Sequence, residues 1–189
     1  MTVSQNRVKF MKLILIGIQG AGKSTQGNLL SKELEIPYLS TGHIFRAISQ
    51  EKTHIGRYIK ETMNAGFLIP DDKTLEIVTE YLGRPEYMNG YIMDGFPRTV
   101  PQAEAFQNGI NKAIYLKVSD KEALWRLAGR EDADRADNTI QALKKRIHSF
   151  HEFTEPVIEY YRQKGQLFEV DGEQEIEVIF PQIMEAIKE

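Results

Sequence analysis

Residues 12–24 read KLILIGIQGAGKS, an apolar run that leads directly into a glycine-rich segment ending in lysine and serine. From Gly17 to Ser24 the segment satisfies the pattern G-x-x-x-x-G-K-[ST], with a strand-like run before it and a helical pattern after it. In such a loop, backbone N–H groups turn inward around phosphate oxygens, and the following helix adds the positive end of its dipole. The stretch therefore predicts a phosphate cradle in which Lys23 binds the β- and γ-phosphates and Ser24 can bind Mg²⁺.

Apolar β-rich runs recur along the chain, and each is followed by a segment with helical spacing. The runs lie at residues 12–16, 36–39, 91–93, 113–118 and 167–170. Five strands alternating with helices predict an α/β fold, a three-layer α/β/α arrangement around a five-stranded parallel sheet. Because no linker or repeat interrupts the pattern, we expect one domain over residues 11–189 and an N-terminal extension over residues 1–10.

Proline and aspartate predict where two of the helices begin or bend. Asp71 or Asp72 follows Pro70 and precedes an apolar-periodic segment, so one of these two carboxylates is the expected N-cap. Residues 138–164 form a long helical pattern in which Pro156 is expected to produce a bend. Gly165 is the expected C-cap of that helix.

The composition excludes several classes of protein. The 189 residues are 41% hydrophobic and contain no cysteine, which excludes disulfides, a thiolate zinc site and a cysteine nucleophile. The net charge of −3 gives no electrostatic reason to expect nucleic acid as a partner. The N-terminal apolar run is too short for a signal peptide or a membrane span, so we expect a cytoplasmic protein without a membrane partner.

A carboxylate and an arginine follow the third β-rich run. Residues 91–94 read YIMD, and a strand ending in Asp94 is where the Mg²⁺ shell of a cradle of this kind is anchored. Arg98 comes shortly afterwards, at the sheet edge where ligands of open α/β folds bind.

Four further arginines fall into two pairs with helical spacing. Arg126 and Arg130 are four residues apart, and Arg135 and Arg146 are eleven residues apart, which is close to three full helical turns. Each pair therefore lies on one helix face, and together the pairs predict a basic wall.

These motifs, taken in order, resemble the adenylate kinase family from Met11 to the C-terminus. The resemblance rests on residues 17–25, on Leu39-Ser40-Thr41-Gly42 with Arg46, on Asp94-Gly95-Phe96-Pro97-Arg98-Thr99 with Gln102, on Arg135-Ala136-Asp137-Asn138 with Arg146, and on residues 155–158 and 170–172. It implies a P-loop NTPase-type fold with a helical AMP-binding segment at residues 41–73 and a short lid at 131–137. It also implies reversible transfer of the γ-phosphoryl group of MgATP to AMP, giving two molecules of ADP.

The resemblance further implies which residues contact each nucleotide. The residues expected to bind ATP are Gly17, Gln19, Gly20, Ala21, Gly22, Lys23, Ser24, Thr25, Arg126, Arg130 and Gly172. Those expected to bind AMP are Thr41, Arg46, Met63, Leu68, Ile69, Gly95, Arg98, Gln102, Arg135 and Arg146, with Thr41 and Gln102 reading the adenine. The expected catalytic residues are Lys23, Arg98, Arg130, Arg135 and Arg146. The expected Mg²⁺ ligands, directly or through water, are Ser24 and Asp94.

Phosphoryl transfer fits a site of this composition. Its transition state is loose, so positioning and charge neutralisation do most of the work, and an ionised phosphate acceptor requires no general base. ATP and AMP bring about six negative charges at neutral pH. The matching positive charges are those of Lys23, Arg46, Arg98, Arg130, Arg135 and Arg146. Because such a wall repels itself when empty, we expect its segments to close only over bound phosphates.

Four residues differ from the usual pattern of the family. Gln19 replaces a proline, which is expected to loosen the first turn of the cradle without removing a phosphate donor. Ser24 replaces a glycine and adds a hydroxyl. His43 replaces an aspartate beside the AMP-phosphate clamp, so a pH-dependent affinity for AMP is a hypothesis. Asn138 replaces the second acidic residue after Arg135.

Two alternative functions stay open at this point: a kinase for CMP or UMP, and a non-catalytic ATP-binding module with the same fold. Thr41 and Gln102 favour adenine, because a side-chain amide can pair with the edge of that base. Six cations argue against the module. We expect no zinc, a monomer because no heptad seam is present, and Trp125 packed against neighbouring side chains.

Overall fold

A five-stranded parallel sheet forms the centre of the structure, a computed structural model that describes residues 10–106, 108–129 and 140–188. Its strands are β1 Lys12–Ile16, β2 Tyr38–Ser40, β3 Tyr91–Asp94, β4 Lys112–Lys117 and β5 Leu167–Asp171. They are ordered β2-β3-β1-β4-β5, and every neighbouring pair is parallel. Each strand lies within two residues of its predicted position, so the predicted sheet is confirmed.

The central strand explains this order. The side chains of Leu13, Ile14, Leu15 and Ile16 are at most 3% exposed, because β1 is covered on both faces and hydrogen-bonded to β3 and β4 on its two edges. Strands β3 and β2 lie on one side of β1, and strands β4 and β5 lie on the other. A crevice is therefore expected beyond the carboxyl end of β1, where ligands of open α/β sheets bind.

Helices surround this sheet. Those within the described residues are α1 Lys23–Leu34, α2 Thr41–Ser49, α3 His54–Asn64, α4 Asp71–Leu82, α5 Val100–Ala105, α6 Asp120–Ala128, α7 Ile140–Ser149, α8 Glu155–Gln163 and α9 Ile176–Ala186. Helix α1 packs against α9, and α5 packs against α8. The predicted α/β class is confirmed. Within the described part of the chain, every helix is too short or too polar to cross a lipid bilayer.

Three helix predictions require correction. The C-cap of α8 is Lys164, and the predicted Gly165 follows it with a φ of +66°. The helix beginning at Asp71 has Pro70 as its N-cap, so neither predicted aspartate occupies the cap, and Thr74 N–H donates to the Pro70 carbonyl at 2.9 Å. The predicted long helix is interrupted before Pro156 by a π-helical segment, Phe150–Thr154, which separates α7 from α8. Pro156 lies in the first turn of α8, where its missing N–H leaves no intrahelical bond unmade.

Candidate active site

The glycine-rich segment forms the connection between β1 and α1, with Gly22 as the N-cap and Lys23 as the first helical residue. Gly20 has a φ of +97°, and a Cβ atom there would lie 2.7 Å from the carbonyl oxygen of Ala123 on α6. Only glycine satisfies both constraints. The predicted cradle therefore packs directly against α6.

The ammonium of Lys23 lies over this loop. Its Nζ donates to the carbonyl oxygens of Gly17 at 2.8 Å and Ile18 at 3.0 Å, and it lies 4.0 Å from Asp94 Oδ1. The lysine thus places its positive charge between the cradle and the end of β3. That is the position from which it can reach the phosphates of a bound nucleotide.

Asp94 ends β3 at the carboxyl edge of the sheet, opposite Leu15 of β1 and Ser40 of β2. Tyr38 Oη donates to its Oδ2 at 2.7 Å, and burial together with the Asp94 charge raises the pKa of the Tyr38 phenol. The other carboxylate oxygen, Oδ1, is buried, and no described residue donates a hydrogen bond to it. Asp94 therefore has an oxygen available for a further partner.

The Asp94 oxygen makes a Mg²⁺ site chemically reasonable. Mg²⁺ prefers oxygen ligands and is commonly bound by one or two carboxylates together with substrate phosphates. Ser24 lines the same cavity as Asp94, so both predicted ligands are at hand. Among the described residues no cluster of three or more His, Asp or Glu side chains is suited to a metal ion.

A chain of hydrogen bonds fixes Arg98. Its Nε donates to the Gly95 carbonyl at 2.8 Å, and its backbone N–H donates to Gln102 Oε1 at 2.7 Å. Gln102 Nε2 in turn donates to Asp71 Oδ1 at 2.7 Å, while Thr154 Oγ1 donates to the Arg98 carbonyl at 3.0 Å. Both ends of the Gln102 amide are thus engaged.

The arginines around Arg98 crowd one another. Burial lowers the pKa of the Arg98 guanidinium, and the positive charges of Arg146 and Arg46 lower it further, whereas Asp94 opposes the shift. Like charges in a desolvated site repel one another strongly. The arrangement is therefore electrostatically suited to bind a multiply charged anion.

Arg146 connects two distant parts of the site. Its Nη1 donates to Gln19 Oε1 in the cradle at 3.1 Å, and its Nη2 donates to the carbonyl of Met63 in the last turn of α3 at 3.2 Å. The guanidinium thus spans the space between the cradle and the predicted AMP-binding segment.

Two cavities border the cradle. The first, of about 230 Å³, is lined by most of the residues predicted for the AMP side and by part of the cradle: Gly17, Gln19, Gly20, Gly22, Lys23, Ser24, Arg46, Met63, Leu68, Ile69, Asp94, Gly95, Arg98, Gln102 and Arg146. The second, of about 380 Å³, is lined by residues predicted for the ATP side: Gly20, Ala21, Gly22, Thr25, Arg126 and Gly172. Gly20 and Gly22 line both cavities, so the cradle lies between them.

The second cavity holds an ordered arginine and an exposed indole. Arg126 Nε donates to Glu122 Oε1 at 2.7 Å, and its Nη1 donates to the Gly172 carbonyl at 2.9 Å. Trp125 lines the same cavity and is 72% exposed, so the expectation that it packs against its neighbours is wrong. The reason is helical geometry: Ala123 is the buried residue of α6, and Trp125 lies about 200° around the helix from it.

Thr41 is placed differently from a residue that faces a base. Its side chain is 1% exposed, and its hydroxyl donates to the Asp94 carbonyl at 3.2 Å. Gly95 has a φ of +84°, and a Cβ there would lie 2.5 Å from Thr41 Oγ1. The Thr41 side chain therefore packs against the end of β3 and stabilises it by a hydrogen bond. His43 lines the first cavity, and its effect on AMP affinity stays a prediction.

Some predicted residues lie outside the described part of the chain: Arg130, Arg135, Asn138 and the lid at residues 131–137. Conversely, three residues of the site were not anticipated from the sequence. Tyr38 and Thr154 show no recognisable signal, whereas Asp71 was noticed only as a helix cap.

The chain matches the family model described as adenylate kinase over residues 15–166. Three curated relatives, each named adenylate kinase, come from Ruminiclostridium cellulolyticum (34% identity, 94% of this chain and 99% of the relative), Clostridium botulinum (38%, 92% and 96%) and Desulfitobacterium hafniense (35%, 94% and 98%). The first alignment spans 212 positions, more than the 189 residues here, so that relative contains residues absent from this chain. With a model matching most of its length and relatives aligned nearly end to end, the chain belongs to the adenylate kinase family.

Proposed function

We propose that the protein is a nucleoside monophosphate kinase that transfers the γ-phosphoryl group of MgATP reversibly to AMP, giving two molecules of ADP. The family and the names of the relatives support this reaction. The observation that carries the proposal is the position of the cradle between two cavities, one of which is lined by Arg46, Arg98 and Arg146. Two nucleotides bound on either side would bring their phosphates together at the cradle.

ATP is proposed to occupy the second cavity. Arg126 is held there by Glu122 and Gly172, so its planar guanidinium is available to stack on an adenine ring. The amides of the cradle and Lys23 would bind the phosphates. Lys23 would then exchange its contacts with the Gly17 and Ile18 carbonyls for contacts with phosphate oxygens, which are stronger acceptors because they are charged.

AMP is proposed to occupy the first cavity. Arg46 and Arg98 would bind its phosphate, and Met63, Leu68 and Ile69 would surround its base. Gln102, whose amide Nε2 donates to Asp71, would also donate an amide N–H to the base. Thr41 would stabilise the end of β3 through its hydrogen bond to the Asp94 carbonyl. Arg130 and Arg135 are proposed to complete the set of charges around the transferring group.

Mg²⁺ bound with ATP would neutralise charge on the β- and γ-phosphates. We propose that Ser24 and Asp94 Oδ1, which accepts no hydrogen bond from a described residue, hold the ion directly or through water.

Transfer needs no general base on the protein. The accepting AMP phosphate oxygen is ionised at neutral pH, so the task of the chain is to hold two anions in line and to stabilise spreading charge. Lys23 and the arginines perform that task by charge-assisted hydrogen bonds. Closure of the arginine-bearing segments over the phosphates would exclude water, which otherwise competes with AMP for the phosphoryl group.

We propose that residues 11–189 form a single domain with a short lid at residues 131–137. ATP, AMP and ADP are the proposed partners, with the protein acting as a cytoplasmic monomer.

The proposal is tested by measuring ADP formation from MgATP with AMP, CMP, UMP and GMP offered separately. Rapid turnover with AMP alone is expected, because the apolar surround and the Gln102 amide suit adenine. Lys23→Met should abolish turnover, whereas Lys117→Met, at an exposed lysine paired with Glu169, should leave it unchanged. Faster turnover with CMP or UMP would identify a different acceptor. Binding of MgATP without any turnover would mean a non-catalytic module.

A further inference from the structure

Gln19 connects the cradle to Arg146, which lies 127 residues further along the chain. Arg146 Nη1 donates a hydrogen bond to Gln19 Oε1 at 3.1 Å. The second guanidinium nitrogen donates to the Met63 carbonyl. The two acceptors therefore hold both terminal nitrogens of the guanidinium, one from the cradle and one from α3. This contact exists only because the fold brings α7 over the carboxyl end of β1.

Arg146 needs such acceptors because of its surroundings. It lies close enough to Arg98 for its charge to lower the pKa of that guanidinium, as does the charge of Arg46. Repulsion among these cations favours conformations in which the Arg146 side chain leaves the cavity. Hydrogen bonds to oxygen acceptors oppose that departure.

The chemical nature of Gln19 suits this task. An amide oxygen accepts from a guanidinium without placing negative charge beside the cradle, where a carboxylate would repel phosphates. An apolar side chain at this position would offer no acceptor. Gln19 is expected to loosen the first turn of the cradle. It also accepts a hydrogen bond from Arg146, a contact that the sequence did not indicate.

We propose that Gln19 is a positioning residue that holds Arg146 at the cradle before phosphates arrive. This inference rests on the proposed function, because Arg146 is one of its catalytic residues. An arginine already in place loses less conformational freedom on reaching the transition state. Gln19 therefore acts on turnover more than on the binding of MgATP.

The first test compares Gln19→Met, which keeps the side-chain length but removes the strong acceptor, with the matched variant Gln163→Met on the exposed face of α8. In Gln19→Met, kcat for MgATP with AMP is expected to fall roughly tenfold, as for loss of a hydrogen bond to a charged group. The dissociation constant of MgATP, measured by calorimetry without AMP, is expected to change by less than about twofold. Gln163→Met should leave both quantities unchanged.

The second test places both substitutions in an Arg146→Ala background. If Gln19 acts through Arg146, Gln19→Met should then change kcat by less than about twofold. A tenfold loss that persists without Arg146 would overturn the inference, because Gln19 would then act through the turn of the cradle itself. An unchanged kcat in the single variant would overturn it as well.

These outcomes are distinguishable from failure of the proposed function. If the unmodified protein forms no ADP from MgATP and AMP, the proposed function is wrong. If it does, and Gln19→Met is unaffected, only the positioning role of Gln19 is wrong.

Discussion

The two carboxylate oxygens of Asp94 have different surroundings. One of its oxygens accepts from Tyr38, while the other is buried with no donor among the described residues. Lys23 Nζ lies 4.0 Å from this second oxygen, too far for a hydrogen bond, and a buried carboxylate oxygen that accepts no hydrogen bond costs free energy unless a ligand completes it. The phenol that stabilises Asp94 thus allows the second oxygen to be kept for substrate or metal.

Trp125 offers a direct readout of the second cavity. It is the single tryptophan of the chain, and its exposed indole lines that cavity beside Arg126. We expect MgATP to change the tryptophan fluorescence, because a bound base would alter the polarity and stacking around the indole. AMP alone at concentrations that saturate the first cavity should leave the signal nearly unchanged.

The control for this measurement is Trp125→Phe, in which the nucleotide-dependent signal should disappear. An equal response to AMP and MgATP, or no response to MgATP, would contradict the assignment of ATP to the second cavity.

At the scale of elements, the π-helical segment places a histidine between two helices. His151 Nε2 lies 2.9 Å from Asp120 Oδ1 at the start of α6, and its Nδ1 lies 2.8 Å from Glu155 Oε1 at the start of α8. The hydrogen bond with Glu155 is the main cause that raises the pKa of His151; burial opposes the shift, and Asp120 supports it. The imidazolium therefore links α6, which carries Arg126, to α8.

This link predicts a pH-dependent contribution to stability. Because the pKa is raised in the folded protein, the contribution is fully present below the ordinary value of 6.5 and is lost as the pH rises through the folded-state value. The free energy of unfolding should be lower in His151→Gln than in the unmodified protein by up to about 1 kcal/mol at pH 6, since the pair is partly exposed. The difference should shrink at pH 9, as measured by urea unfolding.

His148→Gln is the matched control for this experiment. His148, in the last turn of α7, pairs with Glu152 in the contiguous π-helical segment, so its replacement removes no contact between α6 and α8. A His151→Gln difference that is the same at pH 6 and pH 9 would show that the link does not depend on the charge of the imidazole.

At the scale of the whole molecule, the site is a cationic centre in a protein of net charge −3. The loop after β3, α2 and α7 each contribute one arginine that lines the same cavity, so the crowding of Arg98, Arg46 and Arg146 is a property of their assembly. Anions that bind the folded state but not the unfolded chain should stabilise the fold.

Inorganic phosphate tests this property in the absence of nucleotide. At ten times its dissociation constant, it should stabilise the protein by about 1.4 kcal/mol. For a chain of this length, that corresponds to a rise of about 3 to 6 °C in melting temperature over sodium chloride of equal ionic strength. The measurement is a thermal melt followed by circular dichroism.

Two arginine variants separate specific binding from a general salt effect. Arg98→Met should abolish the phosphate-dependent shift, whereas Arg84→Met, at an exposed arginine stacked on Tyr81, should retain it. A shift of equal size in both variants would indicate the general action of phosphate on protein surfaces.

The cradle, the five strands and the family follow from the sequence alone, because each depends on residues that are close together along the chain. A G-x-x-x-x-G-K-[ST] pattern between a strand and a helix is typical of a phosphate-binding loop, and apolar β-rich runs form strands where a sheet can bury them. In the structure, most of the predicted site residues that are described line two cavities. The sequence did not predict that Pro70 is the N-cap of α4. The Asp71 carboxylate instead accepts a hydrogen bond from Gln102, which lies on another helix.

Which side chains contact one another depends on the folded arrangement of the whole chain. Thr41 is buried against Asp94, Trp125 is exposed, and Gln19 reaches Arg146, because strand order and helix packing set these distances. None of them follows from local propensity, which acts over a few residues, whereas the contacts join positions 53 and 127 residues apart. Burial and proximity are properties of the assembled sheet and its helices, and they arise only when the chain has folded.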